Sequence, residues 1–393
     1  MKINKFYAPI IGVMFLIAGM VGTAKAEIIF GMTHAAGSTG ANGAAPALGL
    51  VSFDSATPGT VTNHGTFGVG LVAGHSVRTM DFRPLNGLLY AISTNVGNTT
   101  GQLYTVSLTT AQLFPVGSGF SLGTNVDPNI SMDFNPVADR IRVVAGSVSS
   151  DGLQNNFRVD PNTGALVLTD TNLAFATGDP QFGFDAQIIG IAYTNNVVGA
   201  TETTLYAWDY QFDILATIGS INGTPQSPNG GQIFTVHDPG AFIVTSSGLG
   251  MDISGATGIC YVAHNLDGQT ANVRLRTRNL ANGTQTDLGA FPAGSNIHDI
   301  SVRPTVTASG VTLSGRVALG PQGRGITNVV VSITDSNGVV RNTTTRKGGL
   351  YSFEDLETGG SYIVTVRSRK YSFSPRVVQL FDNLSDIDFF AGQ

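Results

Sequence analysis

The chain has 393 residues, of which 50 are Gly and one is Cys; only 12% are charged, and the formal net charge is −5. Between Glu27 and Pro304 the sequence holds nine Arg and no Lys against seventeen Asp and two Glu, a net of −10. That balance argues against nucleic acid or an anionic membrane surface as a partner, and the missing lysines remove Schiff-base and P-loop chemistry from this region.

Residues 1–26 read as an export signal. Lys2 and Lys5 give a basic start, Ala8 to Gly22 form a short apolar stretch, and Ala24-Lys25-Ala26 supplies the small-x-small cleavage pattern. The expected mature chain is secreted, periplasmic or at the cell surface. No further apolar run of 18 residues follows, so no membrane insertion is expected after cleavage. Cys260, the only cysteine, excludes an internal disulfide and stands in the apolar run Gly258-Ile259-Cys260-Tyr261-Val262 as a buried small hydrophobe.

From residue 27 onwards two phrases interleave. The first reads Met80-Asp81-Phe82-Arg83-Pro84, with Leu89-Tyr90-Ala91 behind it. It returns as Met132-Asp133-Phe134-Asn135-Pro136 and as Met251-Asp252-Ile253-Ser254. A worn copy is Gly190-Ile191-Ala192-Tyr193, and a truncated one is His298-Asp299-Ile300-Ser301. The second phrase is a pair of alternating strands around a polar turn, as in Phe157-Arg158-Val159, Asp160-Pro161-Asn162-Thr163-Gly164 and Leu166-Val167-Leu168. Its relatives begin at Leu50, Leu103, Leu205 and Leu275. Repetition at this spacing predicts an all-β fold led by a β-propeller of five blades. Six are possible if the stretch from Ser220 to Gly248 forms a blade without the signature. The lone inner strand Ile300-Ser301-Val302 is expected to close the ring against the first strands of the chain.

After Pro304 the pattern changes to the strands of a small β-sandwich, beginning with Val311-Thr312-Leu313-Ser314-Gly315-Arg316-Val317. The expected organisation is a signal over 1–26, a propeller over 27–304, a linker over 305–310 and the sandwich over 311–393. Thr345, Gly349 and the closing Ile387-Asp388-Phe389 complete a pattern that resembles the carboxypeptidase regulatory-like, transthyretin-like β-sandwich. That resemblance implies an accessory module without catalytic residues. The Asp-Phe-Arg-Pro and Asp-Phe-Asn-Pro phrases, with Asp160-Pro161-Asn162-Thr163-Gly164 and Ala192-Tyr193-Thr194-Asn195-Asn196, are similar to a family of secreted bacterial domains with no assigned function. This second resemblance implies no catalytic residues to carry over.

Asp81, Asp133, Asp252 and Asp299 occupy repeated places, so each is expected to anchor the turn of its own blade, with independent and additive effects on stability. The competing reading is convergence on a cation such as Ca²⁺. No Gly-x-Ser-x-Gly elbow, His-Glu-x-x-His motif or marked glycosidase acid pair is present, so no catalytic residue, metal ligand or cofactor is assigned. His34, His264 and His298 stand at strand ends that a ring could bring to one mouth. Arg140 and Arg142 alternate on one strand and suit pairing with Asp139 or a neighbouring blade's Asp, or anion binding. Trp208, the sole tryptophan, fits core and surface equally. The reading is an exported, non-enzymatic binding or surface-interaction protein for an extracellular protein or glycan. The alternative is a propeller hydrolase of lactonase or glycosidase type, possibly metal-dependent, with its site in the central channel.

Overall fold

The computed structural model describes residues 26–34, 47–123, 126–147, 154–239, 250–264, 273–304, 311–335, 339–356, 360–380 and 383–391. Residues 1–25 of the expected signal, the linker 305–310, the run Ala241–Val244, the turn Ser336-Asn337-Gly338 and the His298 side chain lie outside them.

Residues 28–302 form five sheets. From the axis outwards, blade 1 is Ile297–Val302, Ile28–His34, Ala47–Asp54 and Val61–Thr66. Blade 2 is His75–Phe82, Leu89–Asn95, Thr100–Val106 and Leu113–Ser121, and blade 3 is Val126–Asn135, Arg140–Ser147, Asn155–Val159 and Leu166–Thr169. Blade 4 is Ile188–Tyr193, Leu205–Asp209, Ile214–Ile218 and Gln232–His237, with Ala174–Phe175 added in parallel at its outer edge. Blade 5 is Gly250–Ile253, Cys260–His264, Arg274–Arg278 and Gln285–Ala290. The innermost strands pack in the order 1-2-3-4-5-1. Blade 1 takes its innermost strand from the end of the ring and the rest from its beginning, with Ile29 opposite Val302, which closes the ring.

Burial tracks radius. Strands near the axis, such as Gly250–Ile253 and Cys260–His264, are buried throughout, whereas the outermost ones, such as Val61–Thr66, are half-exposed. The hairpin turns hold because a short polar side chain satisfies the N–H groups ahead of it. Asp160 Oδ1 accepts from Asn162 and Thr163 at 2.8 and 3.1 Å, and Asn279 Oδ1 accepts from Ala281 at 2.8 Å. In blade 4 the expected outer hairpin is displaced by one strand. Leu205–Asp209 is the second strand and Ile214–Ile218 the third, and Gln232–His237 from the suspected sixth blade supplies the fourth. The propeller therefore has five blades.

The chain then forms two facing sheets, Leu350–Leu356, Val311–Ala318 and Phe389–Phe390 on one side, and Val340–Thr344, Val330–Thr334, Gly360–Arg367 and Arg376–Leu380 on the other. Leu313, Val317, Val331, Ile333, Val364 and Phe389 share the core between them. Thr345 is buried; its Oγ accepts from Val329 N at 3.0 Å and donates to Ile326 O at 2.8 Å. Gly349 has φ 81°, and a Cβ there would meet Val317 O at 2.2 Å, so the Thr-x-x-x-Gly pattern is explained by geometry alone. Among the described residues no helix is long and apolar enough to cross a membrane.

Candidate functional site

Two places concentrate polar groups inside the propeller. The first is a belt around the axis. Asp81 Oδ2 accepts the N–H of Phe134 at 2.9 Å, Asp133 Oδ1 that of Tyr193 at 3.0 Å, and Asp252 Oδ2 that of Val302 at 2.6 Å. Each donor lies on the innermost strand of the next blade. The sequence expectation, a turn anchored within the same blade, is thus corrected: the carboxylate is a strut between blades. Innermost strands are not paired to one another in a propeller, so their inward N–H groups need side-chain acceptors.

Phe82 N donates to Ser301 Oγ at 3.1 Å, which makes Ser301, and not Asp299, the equivalent of Asp81 in blade 1. Asp299 stands two residues earlier, in the place of Thr79 and Ser131. Its Oδ2 accepts from Met80 N at 2.8 Å, as Thr79 Oγ1 accepts from Met132 N and Ser131 Oγ from Ile191 N, both at 3.1 Å. Three places lack a side-chain acceptor, Gly190 and Ala192 before blade 5 and Gly250 before blade 1. Opposite Ala192 and Gly250 the N–H groups turn to the carboxylate of the preceding residue, Ile253 to Asp252 at 2.6 Å and Ile300 to Asp299 at 3.1 Å.

The belt is electrostatically tense. Burial, with Asp252 beside it, holds the Asp81 carboxyl well above the usual range, and burial with Asp81 and Asp252 does the same to Asp133. Burial pushes Asp252 up to about 6 and Asp299 to about 7, against the opposing pull of their main-chain hydrogen bonds. Ser301 Oγ sits 2.7 Å from Asp81 Oδ1 and 3.3 Å from Asp252 Oδ2. One oxygen from each of Asp81, Asp133 and Asp252 lies within 4.8 Å of the others. That spacing suits either shared protons or a Ca²⁺ with ligands at about 2.3–2.6 Å. Asp81, Asp133 and Asp252 are shut from solvent and Asp299 is half-buried; a glycosidase pair, by contrast, must reach its substrate.

His34 and His264 each end the second strand of their blade, and the His298 side chain lies outside the described residues. Arg140 lies on the second strand of blade 3 and pairs with Asp160 at 3.3 Å. Arg142, on the same strand, is buried among Asp170 at 2.6 Å, Asn156 at 2.7 Å and Asn229 at 2.5 Å. His34 is buried in blade 1. His264 is buried in blade 5, where its Nε2 lies 2.9 Å from Gln285 Oε1. Cys260 is buried, and burial pushes its thiol up to about 12, as befits an inert core residue.

The second polar place is the wedge between blades 4 and 5. Close to the axis it is filled by Tyr206, Trp208 and Leu215 against Met251, Cys260 and Val262. Farther out, the third strand of blade 5 carries Arg274, Arg276 and Arg278 on alternate residues. Arg276 lies opposite Val262 and Arg278 opposite Cys260, so the guanidinium groups share the face turned to blade 4. They border a cleft of about 380 Å³ lined by Asp213, His237, Arg276, Arg278, Gln285 and Asp287. Gly283 lies flat against the His237 ring: a Cβ there would meet Cδ2 at 2.2 Å. Trp208 is wholly buried, with the Arg278 guanidinium carbon 3.7 Å from its ring centroid and the His264 ring centroid at 5.2 Å. Neither the cleft nor Arg278 was singled out in the sequence. The available signal was Arg-Leu-Arg-Thr-Arg at 274–278, three arginines on one face of a strand, with Arg276 and Arg278 in the places of Phe157 and Val159 in blade 3 and of Ala216 and Ile218 in blade 4.

The fold and these two features define a five-bladed propeller, strutted by side chains at its axis and followed by a transthyretin-like sandwich. Residues 49–301 match the family described as Domain of unknown function (DUF4394), and the chain belongs to that family. Residues 312–383 match the carboxypeptidase regulatory-like domain. No curated protein matches the chain. Among solved structures, the chain is similar to one from a nidogen/laminin complex, with 9% identity, a TM-score of 0.38 and coverage of 71% of this chain and 98% of that one. It is also similar to RS223 β-xylosidase, with 10% identity, a TM-score of 0.42 and coverage of 66% and 91%. A third is exo-β-1,3-galactanase from Phanerochaete chrysosporium, with 10% identity, a TM-score of 0.36 and coverage of 86% and 84%. At these values the likeness does not extend to function.

Proposed function

We propose that this is an exported, non-enzymatic binding protein that takes a small polar ligand into the cleft between blades 4 and 5, with the sandwich as its spacer or docking module. The observation that carries this reading is the cleft itself. Repeated positions meet needs that every blade shares, whereas a ligand site has to break the repeat. The belt of carboxylates follows the repeat, is closed to solvent at Asp81, Asp133 and Asp252, and is occupied with main-chain N–H groups. The cleft breaks the repeat and is open, and it is lined by cations, anions and amides together.

The chain contains one tryptophan, and it lies beneath the cleft, so its emission reports this site alone. Purified protein is titrated with a panel of soluble saccharides, organic acids and amino acids, and Trp208 fluorescence is read. A saturable change with one class of compound supports the reading. A silent Trp208 throughout, together with turnover of an ester, lactone or glycoside that is lost on Asp133→Asn, would replace it with the channel-hydrolase reading.

A further inference from the structure

The buried arginines at three successive blade junctions differ in one respect. Arg83, between blades 2 and 3, is held by Asp139, by Asn162 at 2.9 Å and by Tyr90 OH at 3.4 Å. Arg142, between blades 3 and 4, has Asp170, Asn156, Asn229 and Tyr193 OH around it. Arg278, between blades 4 and 5, is only 3% exposed, yet its one hydrogen bond is from Nη2 to the main-chain oxygen of Asp213 at 3.3 Å. Among the described residues its Nε and Nη1 have no acceptor, and neither has the Nε1 of Trp208, on whose ring it lies.

Three buried donors thus stand together without acceptors beside an open cleft. A buried guanidinium without partners is costly, and the molecule shows at Arg83 and Arg142 how such a group is otherwise completed from within the chain. The contrast extends to acidity. Burial pulls all three guanidinium groups down, but their partners carry Arg83 and Arg142 above the ordinary value, whereas Arg278 falls to about 10 despite some support from Asp213. Asp287 does not fill the gap, because it is engaged by Arg274 at 2.6 and 3.0 Å.

Resting on the cleft as the binding site, we infer that its ligand carries an oxyanion, a carboxylate or a phosphate, which an N–H of Arg278, at Nε or Nη1, receives with Arg276 beside it. A guanidinium suits such a group because its hydrogen bonds to an oxyanion are charge-assisted. The Gln285 and His237 side chains line the same cleft.

The test is titration of the full chain with D-glucuronate, with inorganic phosphate and with D-glucose, read by Trp208 emission and by calorimetry. Glucuronate or phosphate is expected to give a saturable signal, and the arm that responds identifies carboxylate or phosphate as the source. Glucose is expected to give none. Arg278→Met should weaken the acid by about tenfold or more, the size of a lost charge-assisted hydrogen bond, while Arg140→Ala leaves it unchanged. Should Arg278→Met fail to fold, Gln285→Glu, which sets a carboxylate against the incoming anion, should produce a loss of similar size. Silence with both acids while a neutral compound perturbs Trp208 would overturn the oxyanion and leave the cleft as a binding site. Undiminished acid binding by folded Arg278→Met or by Gln285→Glu would overturn both.

Discussion

Asp81 in blade 2 accepts the main-chain N–H of Phe134 in blade 3 at 2.9 Å across 53 residues of sequence. The bond ties two innermost strands that share no sheet. Its equivalents from Asp133 to Tyr193 and from Asp252 to Val302 carry the same tie around the axis. Carboxylates placed for this purpose are forced towards each other, because five strands converge on one narrow channel.

That convergence predicts coupling. Asp81→Ala leaves the Phe134 N–H without its acceptor, and the expected cost is about 1–3 kcal/mol; Asp81→Asn keeps an acceptor and should cost less. At pH 7.5 the double variant Asp81→Asn/Asp133→Asn should cost less than the sum of its single variants, since each substitution relieves the charge on the other group. Urea unfolding of the four proteins measures the difference. Additive costs, as independent blades would give, would contradict the shared belt.

Stability should fall as pH rises. Folding raises Asp252 to about 6 and Asp299 to about 7, mainly by burial, and raises Asp81 and Asp133 in the same direction. A carboxyl raised in the fold binds its proton more tightly there than in the unfolded chain. Its contribution is complete below the unfolded value near 4 and is lost as pH passes through 6 and 7. The melting temperature should therefore decline from pH 4.5 to 7.5, and Asp299→Asn should flatten the decline. Chelator should leave the slope unchanged if protons occupy the belt; a slope that appears only after chelator would assign it to a bound cation.

The arginines of blade 3 should separate cleanly. Arg142→Ala leaves the buried Asp170 to Arg158 alone, at 2.8 Å, and takes the donor from Asn156 and Asn229, and should cost about 1–3 kcal/mol. Arg140→Ala breaks a partly exposed pair with Asp160 and should cost at most about 1 kcal/mol. Denaturation midpoints decide it; equal costs would mean that Arg142 is not the structural member of the pair.

Gly250 should tolerate no side chain. A Cβ there would lie 2.6 Å from the main-chain N of Ile300 and 2.8 Å from Cα of Asp299, so Gly250→Ala must push blades 5 and 1 apart, at a cost of about 1–3 kcal/mol. Gly230→Ala, with nothing within 4 Å of the new atom, should stay within about 0.5 kcal/mol. Thermal melts of the pair test the seam.

The blades were legible because their turns need particular residues at fixed distances, and Asp160-Pro161-Asn162-Thr163-Gly164 declares one without reference to the rest of the chain. Blade 4 was misread by one strand where the tight turn at 210–213 joined the second strand to the third and not the third to the fourth. The register of the last copy was misread because Asp299 drew attention away from Ser301. Arg303-Pro304, which repeats Arg83-Pro84, marks the correct alignment. The struts and the cleft were out of reach for a different reason. Asp81 meets Phe134, and Trp208 meets Arg278, only after five sheets have closed into a ring, and no local pattern encodes which side chain of one blade faces which strand of the next.

The closing pair of strands also has a mechanical meaning. Ile28–His34 enters the ring where Ile297–Val302 leaves it; Ile29 stands opposite Val302, and Arg303 N donates to Ile28 O at 2.9 Å. Tension applied between the chain's entry and its exit towards the sandwich therefore acts at one end of an antiparallel ladder and opens its bonds one after another, instead of shearing them together. In a pulling measurement between Glu27 and Arg303, this pair should part first and at low force, before the four blades built from continuous segments give way.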